Sequence, residues 1–277
     1  MRTKKGLSRV GQVLMLVVVA ALFVYPFWWM LVNSLNTAAQ VFGKPTFLPR
    51  AWRFVNYVEI FEVQPFARHL FNSVLVAIVG TVGNVLVSAL SGYGFARLRF
   101  PGSNILFILL LTALMMPIEV IIVPLFFQML QWGFSDSLVP LMLIPIFGAQ
   151  GAFSAFMFRQ FFVTVPLELE EAAKLDGLSA FGTFWHIMLP VAKPVIASGA
   201  ILAFLAAWNT YLEPLVFTSS IENYTLPLSL NNFNDSYGEP QWNLQMAATT
   251  VSVLPIMIVY LFFQEKVTDA MVNSGLK

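Results

Sequence analysis

The chain reads as an all-α integral membrane bundle of six transmembrane helices, and three observations predict it. Its 277 residues are 58% hydrophobic and only 10% charged, where soluble domains carry about a quarter charged residues, and the mean hydropathy is +0.77. Six apolar stretches of about 20 residues, each long enough to cross roughly 30 Å of hydrocarbon, occur at 10–32, 70–91, 105–127, 138–158, 194–217 and 244–263. The basic residues fall unevenly between them. With both termini on the inner side, Arg2, Lys4, Lys5, Arg9, Arg97, Arg99, Arg159, Lys174, Lys193, Lys266 and Lys277 are inner, whereas Lys44, Arg50, Arg53 and Arg68 are outer. The positive-inside rule therefore predicts both termini in the cytoplasm.

Charge and cysteine content exclude several functions. Fifteen Lys and Arg stand against 14 Asp and Glu, so no bulk charge points to nucleic acid. There is no Cys, which removes disulfides, thiolate catalysis and Cys-ligated metals.

The first span follows Met1-Arg2-Thr3-Lys4-Lys5 and is longer than the apolar region of a signal peptide. It ends in Tyr25-Pro26-Phe27-Trp28-Trp29, an aromatic cluster suited to the outer interface, and is expected to remain as a span. The outer segment 33–69 contains a partly periodic stretch at 54–61 that suits a short helix on the membrane surface. Gly80, Thr81, Gly83, Ser88 and Ser91 give the second span a small-residue face, which lets helices approach closely and should be buried in protein. The inner hairpin that follows, 92–102, is basic at its tip and closes with Pro101-Gly102. It reads as a topological anchor.

The third span is interrupted by Pro117 and Pro124 around Glu119. An ionisable group at such a place is by default a pathway candidate, and the alternative is a carboxylate bonding backbone groups freed by proline. Pro140, Pro145, Gly148 and Gly151 make the fourth span a kinked wall of the kind that suits movement. The fifth carries Trp208-Asn209-Thr210-Tyr211-Leu212-Glu213-Pro214. Trp208, Asn209 and Tyr211 offer flat apolar faces beside donors and acceptors, a mixture that orients neutral polar ligands such as sugars; an interfacial aromatic belt is the competing reading. The outer loop 218–243, rich in Asn, Ser, Pro and aromatics, can reach another protein.

No catalytic set is present. His69 and His186 fall on opposite sides in this topology, so no two-histidine metal site is expected. The sequence has no phosphate-cradling loop ending in Gly-Lys-Ser/Thr, no Gly-x-Ser-x-Gly and no His-Glu-x-x-His. Neither enzymatic activity nor a cofactor bound by this chain is expected.

The longest inner interruption, 159–193, is the most informative segment. Pro166 suits the first turn of a helix of about three turns, Glu168, Glu170 and Glu171 suit its positive N-terminal end, and Gly177 suits a left-handed C′ position. Ser179 can cap a second short helix that carries Phe181, Phe184, Trp185 and Met188 along one side and stops before Pro190. Ala172 and Ala173 keep one flank thin enough to enter a groove. A loop packed on its own spans is the other possibility.

The run Glu171-Ala172-Ala173-Lys174-Leu175-Asp176-Gly177, separated by nine residues from Ile187-Met188-Leu189-Pro190, resembles the signature of permease subunits of binding-protein-dependent ATP-driven importers. Phe95-Ala96-Arg97-Leu98-Arg99-Phe100-Pro101-Gly102, Arg159-Gln160-Phe161-Phe162 with Pro166, Trp208-Asn209 and Thr225-Leu226-Pro227-Leu228 are similar to the carbohydrate-uptake branch, of the maltose-permease G type. The resemblance covers nearly the whole chain and implies one permease domain over 1–277, with a core at about 69–264 and a cytoplasmic coupling-helix loop at 159–193. It assigns Glu171, Ala172, Ala173, Asp176 and Gly177 to docking on a cytoplasmic ATPase.

The implied partners are a second homologous permease, two cytoplasmic ATPase subunits holding ATP and Mg, an extracytoplasmic solute-binding protein, the bilayer of the cell membrane, and a sugar or oligosaccharide moved by alternating access. Import of a glycerol phosphate diester or polyol is the alternative within this class. An ion-coupled secondary carrier is the alternative outside it, hinted at by Glu119 alone. Leu178 replaces a usually small residue, and Thr210 and Glu213 replace acidic and aromatic residues common beside Trp208-Asn209, so solute identity does not carry over.

Overall fold

The computed structural model describes residues 2–235 and 237–275, with side chains over 11–235 and 237–262. In chain order the helices are α1 (Arg2–Ser34), α2 (Ala38–Val41), α3 (Asn56–Val63), α4 (Phe66–Arg97), α5 (Ser103–Thr112), α6 (Ile118–Gln131), α7 (Val139–Phe147), α8 (Ala149–Thr164), α9 (Glu168–Leu175), α10 (Ala180–Thr183), α11 (Leu189–Val191), α12 (Lys193–Asn209), α13 (Leu212–Phe217), α14 (Leu226–Ser229) and α15 (Trp242–Gly275). Among the described residues four helical segments are long and apolar enough to cross a membrane: the Gly11–Ser34 part of α1, α4, the α7–α8 run Val139–Thr164, and the Trp242–Phe262 part of α15. Two sharply bent pairs bring the number to six if each pair is one span. The chain divides into two compact units, Met1–Phe66 with Leu230–Leu254 and Ala67–Ser229 with Pro255–Lys277.

In the first unit the loop after α1 is organised by Asn56. Its side-chain amide is buried and donates to the Ser34 and Asn36 carbonyls at 2.7 and 2.9 Å, while its oxygen accepts from the Asn243 amide at 3.3 Å. The short helix expected at 54–61 forms two residues later, as α3, and it turns Asn56 and Ile60 inward while Phe54, Val58 and Phe61 stay exposed. Buried polar groups of this kind must be paired to be tolerated, so one asparagine ties three segments together.

The second unit is built on the close approach of α4 to α7 and α8. A methyl group added at Gly83 would lie 2.3 Å from the Ile146 side chain, and one at Gly92 would lie 2.6 Å from Phe158 and 2.8 Å from the Arg159 nitrogen. The fourth span breaks at Gly148, which is extended between α7 and α8. At that break Asn84 donates to the Pro145 carbonyl at 2.6 Å and Ser88 to the Gly151 carbonyl at 3.0 Å. Irregular backbone at membrane depth needs such internal partners because lipid offers none. Gly80, Gly83 and Ser88 thus do what a small-residue face predicts, while Ser91 bonds only its own helix, at the Val87 carbonyl.

Proline chemistry sets the other breaks. Met116 is extended, as a residue preceding proline tends to be, and the helical stretches on either side of Pro117 meet at 105°. Pro124, by contrast, sits inside a continuous α6. The fifth span, expected to run unbroken over 194–217, stops at Asn209 and restarts at Leu212. Pro214 explains this: in a continuous helix its ring would clash with the Thr210 carbonyl and leave that carbonyl without a donor.

Outside the spans, Asp136 accepts from the Ser219 nitrogen at 2.8 Å, the Ser220 nitrogen at 3.0 Å and the Ser220 hydroxyl, and the Asn223 amide donates to the Asp136 carbonyl at 2.7 Å. The Ser220 hydroxyl and the two backbone donors hold the Asp136 carboxyl well below the usual carboxylate range.

Candidate functional site

The signature segment folds as a helix, a tight turn and a second helix. α9 spans eight residues, about two turns rather than three, because Pro166 and Leu167 stay outside it. Its C-terminus closes in a Schellman arrangement: the Leu178 nitrogen donates to the Ala173 carbonyl at 2.9 Å and the Gly177 nitrogen to the Lys174 carbonyl at 3.1 Å, with Gly177 at φ +81°. Ser179 then caps α10, accepting from the Gly182 nitrogen at 3.1 Å. The chain does not stop before Pro190. A π-helical turn over Phe184–Met188 carries it through, with the Leu189 nitrogen bonded to the Phe184 carbonyl, and Pro190 lies in the first turn of α11, where its missing N–H is harmless. The widened turn also splits the expected apolar side. Phe184 and Met188 are buried, whereas Phe181 and Trp185 are exposed and stacked on each other at 6.4 Å.

Two faces of α9 are thereby defined. Glu171, Ala172, Lys174, Leu175, Asp176 and Gly177 are exposed, Leu175 at 90%. Ala173 is fully buried and Glu170 nearly so. Of the two alanines, then, only Ala172 belongs to the outward face, and Ala173 lets α9 lie close to the body of its own unit. Arg97, at the end of α4, holds the inward face. Its Nε lies 2.8 Å from the Glu170 carboxylate, with side-chain exposures of 7% and 8%, and its guanidinium also donates to the Val165 carbonyl. The pair is favourably placed, with a cation in the last turn of one helix and an anion in the first turn of the other. The inner-hairpin Arg97, read as a topological anchor, is here a buried structural partner. Around it, Val85, Ala89, Tyr93, Phe158, Phe162, Val165, Phe184, Met188 and Ala192 form one core. Arg159 sits over the Phe107 ring at 4.2 Å.

A cavity of about 830 Å³ lies within the same unit, where the breaks in the third, fourth and fifth spans face one another. Its wall is apolar, with Met116, Ile121 and Ile144 typical, except for Gln150, Thr210, Glu213 and the indole of Trp132. The Thr210 hydroxyl donates to the Glu213 carboxylate. The Gln150 amide nitrogen is buried without a hydrogen-bond partner. Among the described residues no Lys, Arg or His lines the cavity.

The four pathway candidates read from sequence lie around this cavity and not on it. Glu119 is exposed in the first turn of α6. Trp208 is buried and stacked on Phe204 at 5.5 Å, the Asn209 amide donates to the Leu205 carbonyl of its own helix at 2.8 Å, and Tyr211 is exposed. Their neighbours Thr210 and Glu213 take the wall because Pro214 opens the helix between them. Pro214 four residues after Thr210 is the signal that identifies this turn. Gln150 has no comparable signal.

The fold and the signature element define a membrane-embedded transport permease. The chain belongs to the family of the binding-protein-dependent transport system inner membrane component, whose pattern matches residues 84–272. It is 30% identical to the arabinooligosaccharides transport system permease protein of Bacillus subtilis, over 97% of this chain and 96% of that one. It is 35% identical to the sn-glycerol-3-phosphate transport system permease protein of Yersinia enterocolitica, over 94% of each. Among solved structures, a chain of a bacterial ABC transporter involved in the import of the acidic polysaccharide alginate shares the fold, with a TM-score of 0.81 at 22% identity, covering 96% of this chain and 98% of that one.

Proposed function

We propose that this chain is one of two permease subunits of an ATP-driven importer that moves a sugar or oligosaccharide across the cell membrane by alternating access. Both termini are cytoplasmic in this reading, and α9 is the coupling helix. The observation that carries it is the outward face of α9: Glu171, Ala172, Lys174, Leu175 and Asp176 are exposed together, while Arg97 and Glu170 fasten the opposite face to α4. An element polar at its rim, thin at Ala172 and capped by an exposed leucine suits a groove in a cytoplasmic ATPase subunit. Two such subunits would hold ATP and Mg, a second permease would complete the pathway, and an external binding protein would deliver solute. Closure of the ATPase pair would act on α9 and rock the two permeases as rigid bodies.

The test is assembly and coupling in proteoliposomes with Leu175→Asp and Ala172→Trp, both at exposed positions. The expected outcome is loss of ATPase copurification and of solute-stimulated hydrolysis with the permease still inserted and thermally intact. Normal assembly and hydrolysis in both variants overturns the docking assignment. A second reading, import of a glycerol phosphate, rests on the 35% identity to the sn-glycerol-3-phosphate permease protein.

A further inference from the structure

We infer that the cavity around Gln150, Thr210 and Glu213 is a solute-contact site that accepts uncharged, hydroxyl-rich solutes and rejects phosphate- or carboxylate-bearing ones, with Glu213 as the discriminating group. The inference rests on the importer reading and narrows its solute class. About 830 Å³ lies within the range of ligand cavities, roughly 300–1,000 Å³, and its mostly apolar wall with a few placed polar groups matches their usual make-up.

Those polar groups are complementary in kind. The Gln150 amide nitrogen is a buried donor with nothing to donate to, a state that is costly until an acceptor arrives. Glu213 is an acceptor, steadied by the Thr210 hydroxyl, and a carboxylate has lone pairs left after one such bond. A sugar hydroxyl both accepts and donates, so a hydroxyl-rich solute offers a partner to each group. The apolar wall suits the C–H faces of a sugar ring.

Charge decides the remainder. Among the described residues Glu213 is the one ionisable group on the wall, and no Lys, Arg or His accompanies it. An anion within about 5 Å of a carboxylate, at an effective dielectric constant of about 20, is disfavoured on the order of a hundredfold. A phosphate ester or uronate therefore meets repulsion here with no cation to offset it, whereas a neutral saccharide meets none.

The absence of native cysteine makes the test direct. Ile121→Cys gives this chain a single thiol, on the cavity wall of the assembled importer in nanodiscs, and the rate at which this chain, resolved from its partners by mass, is labelled by N-ethylmaleimide is measured against maltose, lactose, arabinobiose, glycerol 3-phosphate and digalacturonate. At least one neutral sugar is expected to slow labelling, with the two anions needing about a hundredfold higher concentration. Glu213→Gln should bring anions and neutrals within roughly tenfold of each other, and Gln150→Leu should abolish protection by the neutral sugar. The site assignment is overturned if no neutral sugar protects, or if the anions protect the Glu213 protein as well as neutral sugars do. ATPase copurification, measured on the same sample, reports separately on the importer reading, so the two can fail independently.

Discussion

Gly151 shows how little room this membrane interior leaves. A methyl group there would lie 1.9 Å from the Ile146 carbonyl oxygen, an approach that no side-chain rotation relieves because the obstructing atom is backbone. Gly151→Ala should therefore destabilise the protein by at least about 1–3 kcal/mol, the usual scale of forced overpacking, and lower the unfolding temperature in detergent. Gly94, a position in α4 where a methyl group would meet nothing and the backbone is not left-handed, provides the control for glycine loss without a clash.

Asp136 is a second single-residue case. Its carboxyl is held below the ordinary range by donors from Ser219 and Ser220, so it stabilises the loop pairing above the unfolded carboxylate value of about 4 and loses that contribution as pH falls further, toward its folded value. Hydrogen exchange over residues 219–223 should be faster in Asp136→Asn than in the parent at pH 7, and the difference should shrink steadily below about pH 4. A difference that persists unchanged at pH 2 contradicts this. At this scale, local chemistry was legible in the sequence: Gly177 and Ser179 stand where αL and N-cap geometry require them. Asn56 and Asn84 were not, because what an asparagine bonds depends on chain far away, Asn243 in one case and Pro145 in the other.

Among the elements, the joint between α4 and α9 has the greatest mechanical consequence. Arg97 and Glu170 are 73 positions apart and meet in a nearly dry contact, so removing one partner leaves the other charged and buried. Arg97→Met should cost about 3–5 kcal/mol, whereas Arg97→Met with Glu170→Met should recover much of that loss, since apolar replacement of a whole buried pair is often neutral or better. A double-mutant cycle on unfolding in detergent measures the coupling, and additive losses would rule it out. The helices themselves could be read from apolar length, and their ends from proline and glycine. Two features escaped that reading for one reason each. The π-helical turn at Phe184–Met188 keeps the apolar spacing of an α-helix while changing which residues face inward, and the break at Thr210 was hidden because Leu215, Val216 and Phe217 carry the apolar length of the span past Pro214.

On the scale of the whole molecule, the protein presents to its surroundings the surface a soluble domain would bury. The Gly11–Ser34 segment of α1 has none of its most apolar stretch covered by protein, and Leu14, Met15, Leu16, Leu22 and Phe23 are all more than half exposed. Total hydropathy made this class evident from composition alone. The cavity was not evident, because it arises where three separate breaks face one another, and no single stretch of sequence encodes it.

The sharp bend at Pro117 also constrains how such a chain is made. Ser103–Met115 and Ile118–Gln131, at about 1.5 Å per residue, each extend only about 20 Å, well short of the roughly 30 Å hydrocarbon layer. Neither half can leave the insertion machinery as a self-sufficient segment, since the unpaired peptide groups at the bend would meet lipid. During synthesis this hairpin is expected to stay with the insertion machinery until α7 and α8 emerge, which crosslinking of stalled chains to that machinery would test.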